Sequence, residues 1–114
     1  IISILDGLDS DPDFNQTESI SLFWGNRVQQ DFIWKPNFKR INVSFYPIIS
    51  RKDDEWKGEI GYVQDVALRI SSDTQKINVY ACGASNMINS AKASFVGAGL
   101  SGNDFYSDAF VQSY

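Results

Sequence analysis

The 114 residues suffice for one ordinary domain with a single core and are too few for two. A hydrophobic fraction of 43% without low-complexity stretches predicts a folded, globular chain, and its apolar runs are too short to span a bilayer. Fourteen acidic against ten basic residues give a net charge of −4, which opposes nucleic-acid binding; the lack of His excludes Ser-His-Asp and Cys-His catalysis, and a single Cys excludes an intrachain disulfide and a thiolate-rich zinc or iron–sulfur site.

Ile1, Ile4, Leu5 and Leu8 fall at helical spacing, so the chain is expected to open as the end of a helix, broken by Asp9-Ser10-Asp11-Pro12-Asp13. The opening carries no secretion signal and no Met, which reads as a chain that has lost its native beginning. Ser19 to Trp24 predicts a mostly buried strand delivering a turn at Gly25-Asn26, with a brief helix over Val28 to Trp34.

Ile41 to Tyr46 alternates apolar and polar residues and runs into Pro47, which predicts a strand near a sheet edge. Arg51 to Gly61 reads as a charged surface loop, in which Asp53, Asp54 and Glu55 lack the ligand spacing of a calcium loop. Val63, Val66, Ala67 and Ile70 form a helical stripe.

Ile77 to Ala81 is a third predicted strand and Cys82-Gly83 its sharp exit. Ser85 to Gly99 is a predicted helix with Met87, Ile88, Ala91 and Phe95 inward, and Phe105 to Val111 a last strand or extended tail. Strands alternating with helices through short connections predict an α/β, doubly wound, mostly parallel Rossmann-like sheet with helices on both faces. In such a sheet ligands collect at the carboxyl ends of strands, where Gly25, Ser50 and Cys82 fall.

The sharpest local signal is Val79-Tyr80-Ala81-Cys82-Gly83-Ala84-Ser85-Asn86-Met87, a strand feeding a helix N-terminus. Backbone amides there suit an anionic or polar ligand and glycine permits close approach; equally, Cys82 and Met87 could be ordinary core fillers. Arg27 follows a strand-ending Gly-Asn and Ser50-Arg51 ends the next strand, postures that suit a ribose or phosphate as well as a solvated surface charge. Trp24 and Trp56 are expected to fill space under loops and are assigned no function.

Cys82-Gly83 with Met87 and the later Phe105-Tyr106-Ser107-Asp108-Ala109-Phe110 resembles the end of the ferredoxin–NAD(P) reductase superfamily. Leu22 to Arg27, Tyr46 to Arg51 and Trp56 to Val63 resemble the same family in the same order, nearest to oxygenase ferredoxin reductases, the CDP-6-deoxy-glucoseen reductase group and NAD(P)H–flavin reductases. The match spans essentially the whole chain, with two departures. The chain begins after the family's first strand and glycine-rich pyrophosphate loop, and Ala84 stands where many relatives have Pro.

The resemblance implies the NAD(P)H-binding half of a flavin-dependent oxidoreductase, inactive alone, that positions nicotinamide for hydride transfer to FAD or FMN. Onward electron transfer would go to a ferredoxin, an iron–sulfur centre, an oxygenase or free flavin. It implies that Cys82 and Gly83 face the nicotinamide, with Ala84 and Met87 beside them. It further implies that Gly25, Asn26, Arg27, Ser50 and Arg51 face the adenosine end, and that Phe110 lies near the flavin or packs the last strand. Ser50-Arg51 resembles the family's 2′-phosphate contact, whereas Asp53, Asp54 and Glu55 would repel an extra phosphate; the balance leans to NADH over NADPH.

The expected partner is a flavin-binding domain upstream in the same protein, and the expected location is the cytoplasm. In the family's sheet the first strand is central, so this chain is expected to lack its middle, with unpaired inner edges costing about 1–3 kcal/mol per buried unsatisfied group. The strands near Ser19 and Ile77 are then not expected to pair with each other. The competing reading is a non-catalytic flavodoxin-like or response-regulator-like interaction module.

Overall fold

In the computed structural model, residues 2–32, 34–71 and 73–109 are described, as two compact units, Ile2–Val63 and Gln64 onward. The first unit holds α1 (Ile2–Ser10), β1 (Ile20–Asn26), β2 (Val43–Ile49) and β3 (Glu59–Ile60). The second contains nearly all of α2 (Val63–Ile70), then β4 (Val79–Gly83), α3 (Ser85–Gly97) and β5 (Phe105–Ala109).

In the first unit all pairing is parallel, in the order β1-β2-β3. Ile48 and Ile49 are adjacent in β2, so alternation sends them to opposite faces, yet they are 0% and 1% exposed. Both faces of β2 are therefore covered at that level, the condition of a strand inside a doubly wound sheet. Pro47 stands within this middle strand, not beyond an edge strand as its sequence suggests.

Backbone direction explains the tolerance. Ser50 N–H donates to the Asn26 carbonyl on the β1 side, while the Ile49 carbonyl accepts from Gly61 N–H on the β3 side. Alternation then aims residue 47's nitrogen to the β3 side, and β3 pairs only with Ile48 and Ile49. The donor that proline lacks has no strand to meet there.

The expected helix over Val28 to Trp34 is instead one 3-10 turn, Gln29–Asp31, inside an extended crossover. Its apolar residues serve a different end. Phe32 and Trp34 lie with Trp24 and Phe45 at ring-centroid distances of 5.4 Å and 5.8 Å from Trp24 and 6.5 Å between Trp34 and Phe45. Phe38 and Trp56 extend this aromatic cluster, Trp56 stacking on Phe32 at 5.8 Å and donating its indole N–H to the Glu59 carbonyl. Aromatic side chains thus pack against β1 and β2 where a helix was expected.

Strand boundaries shift towards the carboxyl ends. β1 runs through Gly25-Asn26 and β4 through Cys82-Gly83, residues expected to turn away. Within the stretch expected to be only loop, Glu59–Ile60 forms β3.

In the second unit β4 and β5 pair in parallel, Val79 opposite Phe105 and Cys82 opposite Asp108. Ile88, Ala91 and Phe95 of α3 form a buried cluster with Leu100 and Phe105, against which Val79, Ala81 and Met87 pack. Gly99 ends α3 with φ +112°, and the Leu100 N–H returns to the Phe95 carbonyl at 3.0 Å, burying Leu100. β1 and β4 belong to separate sheets and do not pair with each other.

Candidate functional site

The site residues expected from the sequence fall into two groups, one in each unit. In the first, parallel pairing brings the carboxyl ends of β1 and β2 side by side. Ser50 N–H donates to the Asn26 carbonyl at 3.0 Å and Arg51 N–H to the Arg27 carbonyl at 3.1 Å. Arg27, Ser50 and Arg51 are exposed, and among the described residues neither guanidinium has an ion pair or hydrogen bond. Two unneutralised cations on adjacent chain segments beside a hydroxyl form a surface suited to an anionic oxygen.

Asn26 sits between them, half-buried, with its Nδ2 enclosed and without a partner among the described residues. A buried donor left unmade costs about 1–3 kcal/mol, so this amide has unused hydrogen-bonding capacity. The acidic neighbours are partly withdrawn, since Asp53 Oδ1 accepts from Glu55 N–H in its own turn, leaving Asp54 and Glu55 exposed.

Gly25 has a packing reason to be glycine. A Cβ there would stand 2.9 Å from the Cβ of Val63, the first residue of α2. One residue missed in the sequence is Tyr62, 65% exposed after the Gly61 bend (φ +142°), an open aromatic face following β3. Its neighbours Gly61 and Val63 were legible as the end of a loop and the start of a helical stripe; an exposed ring between them leaves no periodic signal.

In the second unit β4 delivers Cys82 and Gly83 to the N-terminus of α3. Gly83 has φ +153°, and a Cβ on it would meet the Met87 Cε at 2.7 Å. Ala84 precedes α3 without a side-chain cap, and Ile88 N–H makes the first i−4 bond, to the Ala84 carbonyl at 3.1 Å. The amides of Ser85, Asn86 and Met87 therefore lie before the helical ladder begins and can meet a polar ligand.

Cys82 is half-buried and outside the cluster under α3. Alternation puts its side chain on the face opposite Ala81, which packs against that cluster, so the thiol is not core filling for α3. Met87 has a double contact, against that cluster and over Gly83. Asp108, opposite Cys82 in the register, was not picked out in the sequence because strand pairing over this separation leaves no local mark. Phe110 lies outside the described residues.

No group of three or more metal-ligating side chains occurs among the described residues, and no described helix is long and apolar enough to cross a membrane. Parallel α/β units whose strands deliver glycine, cationic and amide groups at their carboxyl ends define a nucleotide-binding protein of the doubly wound class. The sequence places it further. Residues 1–93 match the model of the oxidoreductase NAD-binding domain, and the chain belongs to that family.

It is 34% identical over 105 residues to the CDP-6-deoxy-L-threo-D-glycero-4-hexulose-3-dehydrase reductase of Yersinia pestis, covering 87% of this chain and 31% of that protein. It is 27% identical to the anthranilate 1,2-dioxygenase electron transfer component of Acinetobacter baylyi, over 98% of this chain and 33% of the relative. Among solved structures, the ferredoxin reductase in carbazole 1,9a-dioxygenase has the same fold, with TM-score 0.68 at 18% identity, over 85% of this chain and 31% of that one. The chain thus spans under half the length of these proteins, and the comparisons give no support to the flavodoxin-like or response-regulator-like reading.

Proposed function

We propose that this domain binds NAD(P)H for a flavoprotein reductase. The carrying observation is the end of β4, where a glycine that tolerates no side chain sits between a thiol off the α3 core and an uncapped helix N-terminus, in a chain of the oxidoreductase NAD-binding family. When bound, reduced nicotinamide supplies a hydride and a flavin accepts it.

The chain's own part is orientation and electrostatics. Gly83 leaves room for Met87 at the strand end, and Cys82 limits the slide of a flat ring along it. The first-turn amides of α3, entered through Ala84, donate to a polar substituent, while Met87 holds the shelf beneath. In the first unit, Arg27 and Arg51 attract phosphate oxygens, Ser50 and Asn26 offer hydrogen bonds, and Tyr62 gives a face for a base. Gly25 keeps β1 close to Val63. The exposed Asp54 and Glu55 favour NADH over NADPH.

The flavin, FAD or FMN, belongs to a separate domain of the same protein. Electrons leave for a ferredoxin, an iron–sulfur centre, an oxygenase or free flavin, in the cytoplasm. The test is to mix the full-length protein with NADH without oxygen and follow flavin absorbance. Bleaching on the turnover timescale supports the reading, and a well-folded flavin-loaded protein that NADH leaves oxidised overturns it.

A further inference from the structure

Trp56 joins the two segments that carry the arginines of the first unit. The bonds that prolong the β1–β2 pairing, Ser50 N–H to the Asn26 carbonyl and Arg51 N–H to the Arg27 carbonyl, close their base. Beyond it the chain parts into two arms. One runs from Arg27 through the 3-10 turn to Phe32, the other from Arg51 to Trp56, whose N–H closes a turn on the Asp53 carbonyl at 3.1 Å. Phe32 and Trp56 stand equally far past their arginines, at 27 to 32 and 51 to 56. There the arms meet again, ring on ring, at 5.8 Å between centroids and 7° between planes.

The indole is held by more than the stack. Its N–H donates to the Glu59 carbonyl at 2.9 Å, and it lies so close over Gly58 that a Cβ there would stand 2.8 Å from Cζ2. The rest of that arm offers little to hold it, since Arg51, Lys52, Asp54, Glu55 and Lys57 are charged and exposed. Trp56 is the one apolar side chain between Arg51 and Gly58. A polar loop with few buried contacts opens readily, and a ligand that must order it loses affinity in doing so.

We infer that Trp56 is a positioning residue for coenzyme binding. By clamping the second arm to Phe32 it fixes the backbone spacing of Arg27 and Arg51 before phosphate oxygens arrive, so that binding does not have to order the loop. The inference rests on the proposed function in one respect, that these two arginines meet the coenzyme's phosphates.

The test uses the full-length flavoprotein, with the Kd for NAD+ from titration calorimetry and the limiting rate of flavin reduction by NADH from stopped-flow absorbance. Trp56→Leu is expected to raise Kd about tenfold, the size of one or two side chains newly ordered on binding. The limiting rate should stay within about twofold, because the arginine contacts are the same in ground and transition states. Trp56→Phe keeps a ring on Phe32 and should regain most of the affinity. Gly58→Ala pushes the indole aside without altering an aromatic residue and should raise Kd as well. A folded Trp56→Leu protein with the parent's Kd overturns the inference, whatever its melting temperature.

A double-mutant cycle separates positioning from a contact of Trp56's own. Once Arg51→Ala is in place, Trp56→Leu should change Kd by less than about twofold. A full additional tenfold loss would mean that Trp56 does not act through Arg51 and would overturn the assignment. If Arg27→Ala and Arg51→Ala both leave Kd unchanged, the phosphate reading of the arginines falls and the inference with it. If they weaken binding and Trp56→Leu does not, the inference fails alone.

Discussion

The terminal methyl of Met87 folds back over the α-carbon of Gly83, so near that a Cβ at position 83 would lie 2.7 Å from it. The same glycine has φ +153°, so two separate penalties meet at one residue. Gly83→Ala is expected to cost about 1–3 kcal/mol of stability from the backbone and to slow flavin reduction by NADH in the intact protein. The double variant Gly83→Ala, Met87→Ala removes the collision and leaves the backbone penalty. Denaturant midpoints that recover in part, and not fully, will show both contributions; full recovery would assign the effect to Met87 alone.

Cys82 projects away from the α3 cluster, so its removal should separate function from folding. Cys82→Ala is expected to slow hydride transfer, read by stopped-flow absorbance, by roughly 10- to 100-fold while coenzyme affinity stays within a few fold. A large fall in melting temperature with proportionate loss of activity would return Cys82 to a packing role.

Arg27 and Arg51 have no anionic partner among the described residues. Removing a charge-assisted contact costs about 1.5–3 kcal/mol, so Arg51→Ala is expected to raise the coenzyme Kd by roughly 10- to 150-fold. Its kcat should hold, because the contact is the same in ground and transition states. The loss should shrink at high salt, and titration calorimetry at two ionic strengths measures it.

Asp9 lies in the last turn of α1, where the helix dipole disfavours a carboxylate. Three backbone N–H groups offset that. Oδ1 accepts from Arg40 at 2.6 Å and Ile41 at 3.0 Å, and Oδ2 from Lys39 at 3.1 Å. These bonds, that of Arg40 foremost, hold the carboxyl below its ordinary value of 3.8.

A folded-state pKa below the unfolded one stabilises the protein above the unfolded value, and that contribution disappears as pH falls through the folded value. Urea midpoints should therefore drop below about pH 4, and Asp9→Asn should start lower at neutral pH and drop less. Parallel pH profiles for the two proteins would remove Asp9 from the account.

How much of this was legible depended on the range of the interaction that decides each element. The stripe Val63, Val66, Ala67 and Ile70 and the inward set Ile88, Ala91 and Phe95 are local patterns, and they became α2 and α3. Phe32 and Trp34 share a local pattern with a short helix, but Trp24, Phe45 and Trp56 lie within reach, and ring packing with them prevailed over helix formation. Pro47 correctly announced an open edge and misled only about the strand, since that edge belongs to the middle strand beyond a two-residue β3.

At the site, Cys82-Gly83 before a helix was visible as composition and spacing. The opposition of Cys82 and Asp108, and of Tyr80 and Tyr106, depends on register between segments far apart in the chain, which a sequence states only through its fold.

The three tryptophans, Trp24, Trp34 and Trp56, all fall within Ile2–Val63, in or against one aromatic cluster. The chain therefore carries a fluorescent reporter for one of its units and none for the other. An unfolding curve followed by indole emission speaks for residues 2–63 and is blind to the strands that bear the thiol. A second optical signal, near-ultraviolet dichroism of the Tyr80–Tyr106 stack, is what reveals whether the two halves melt together.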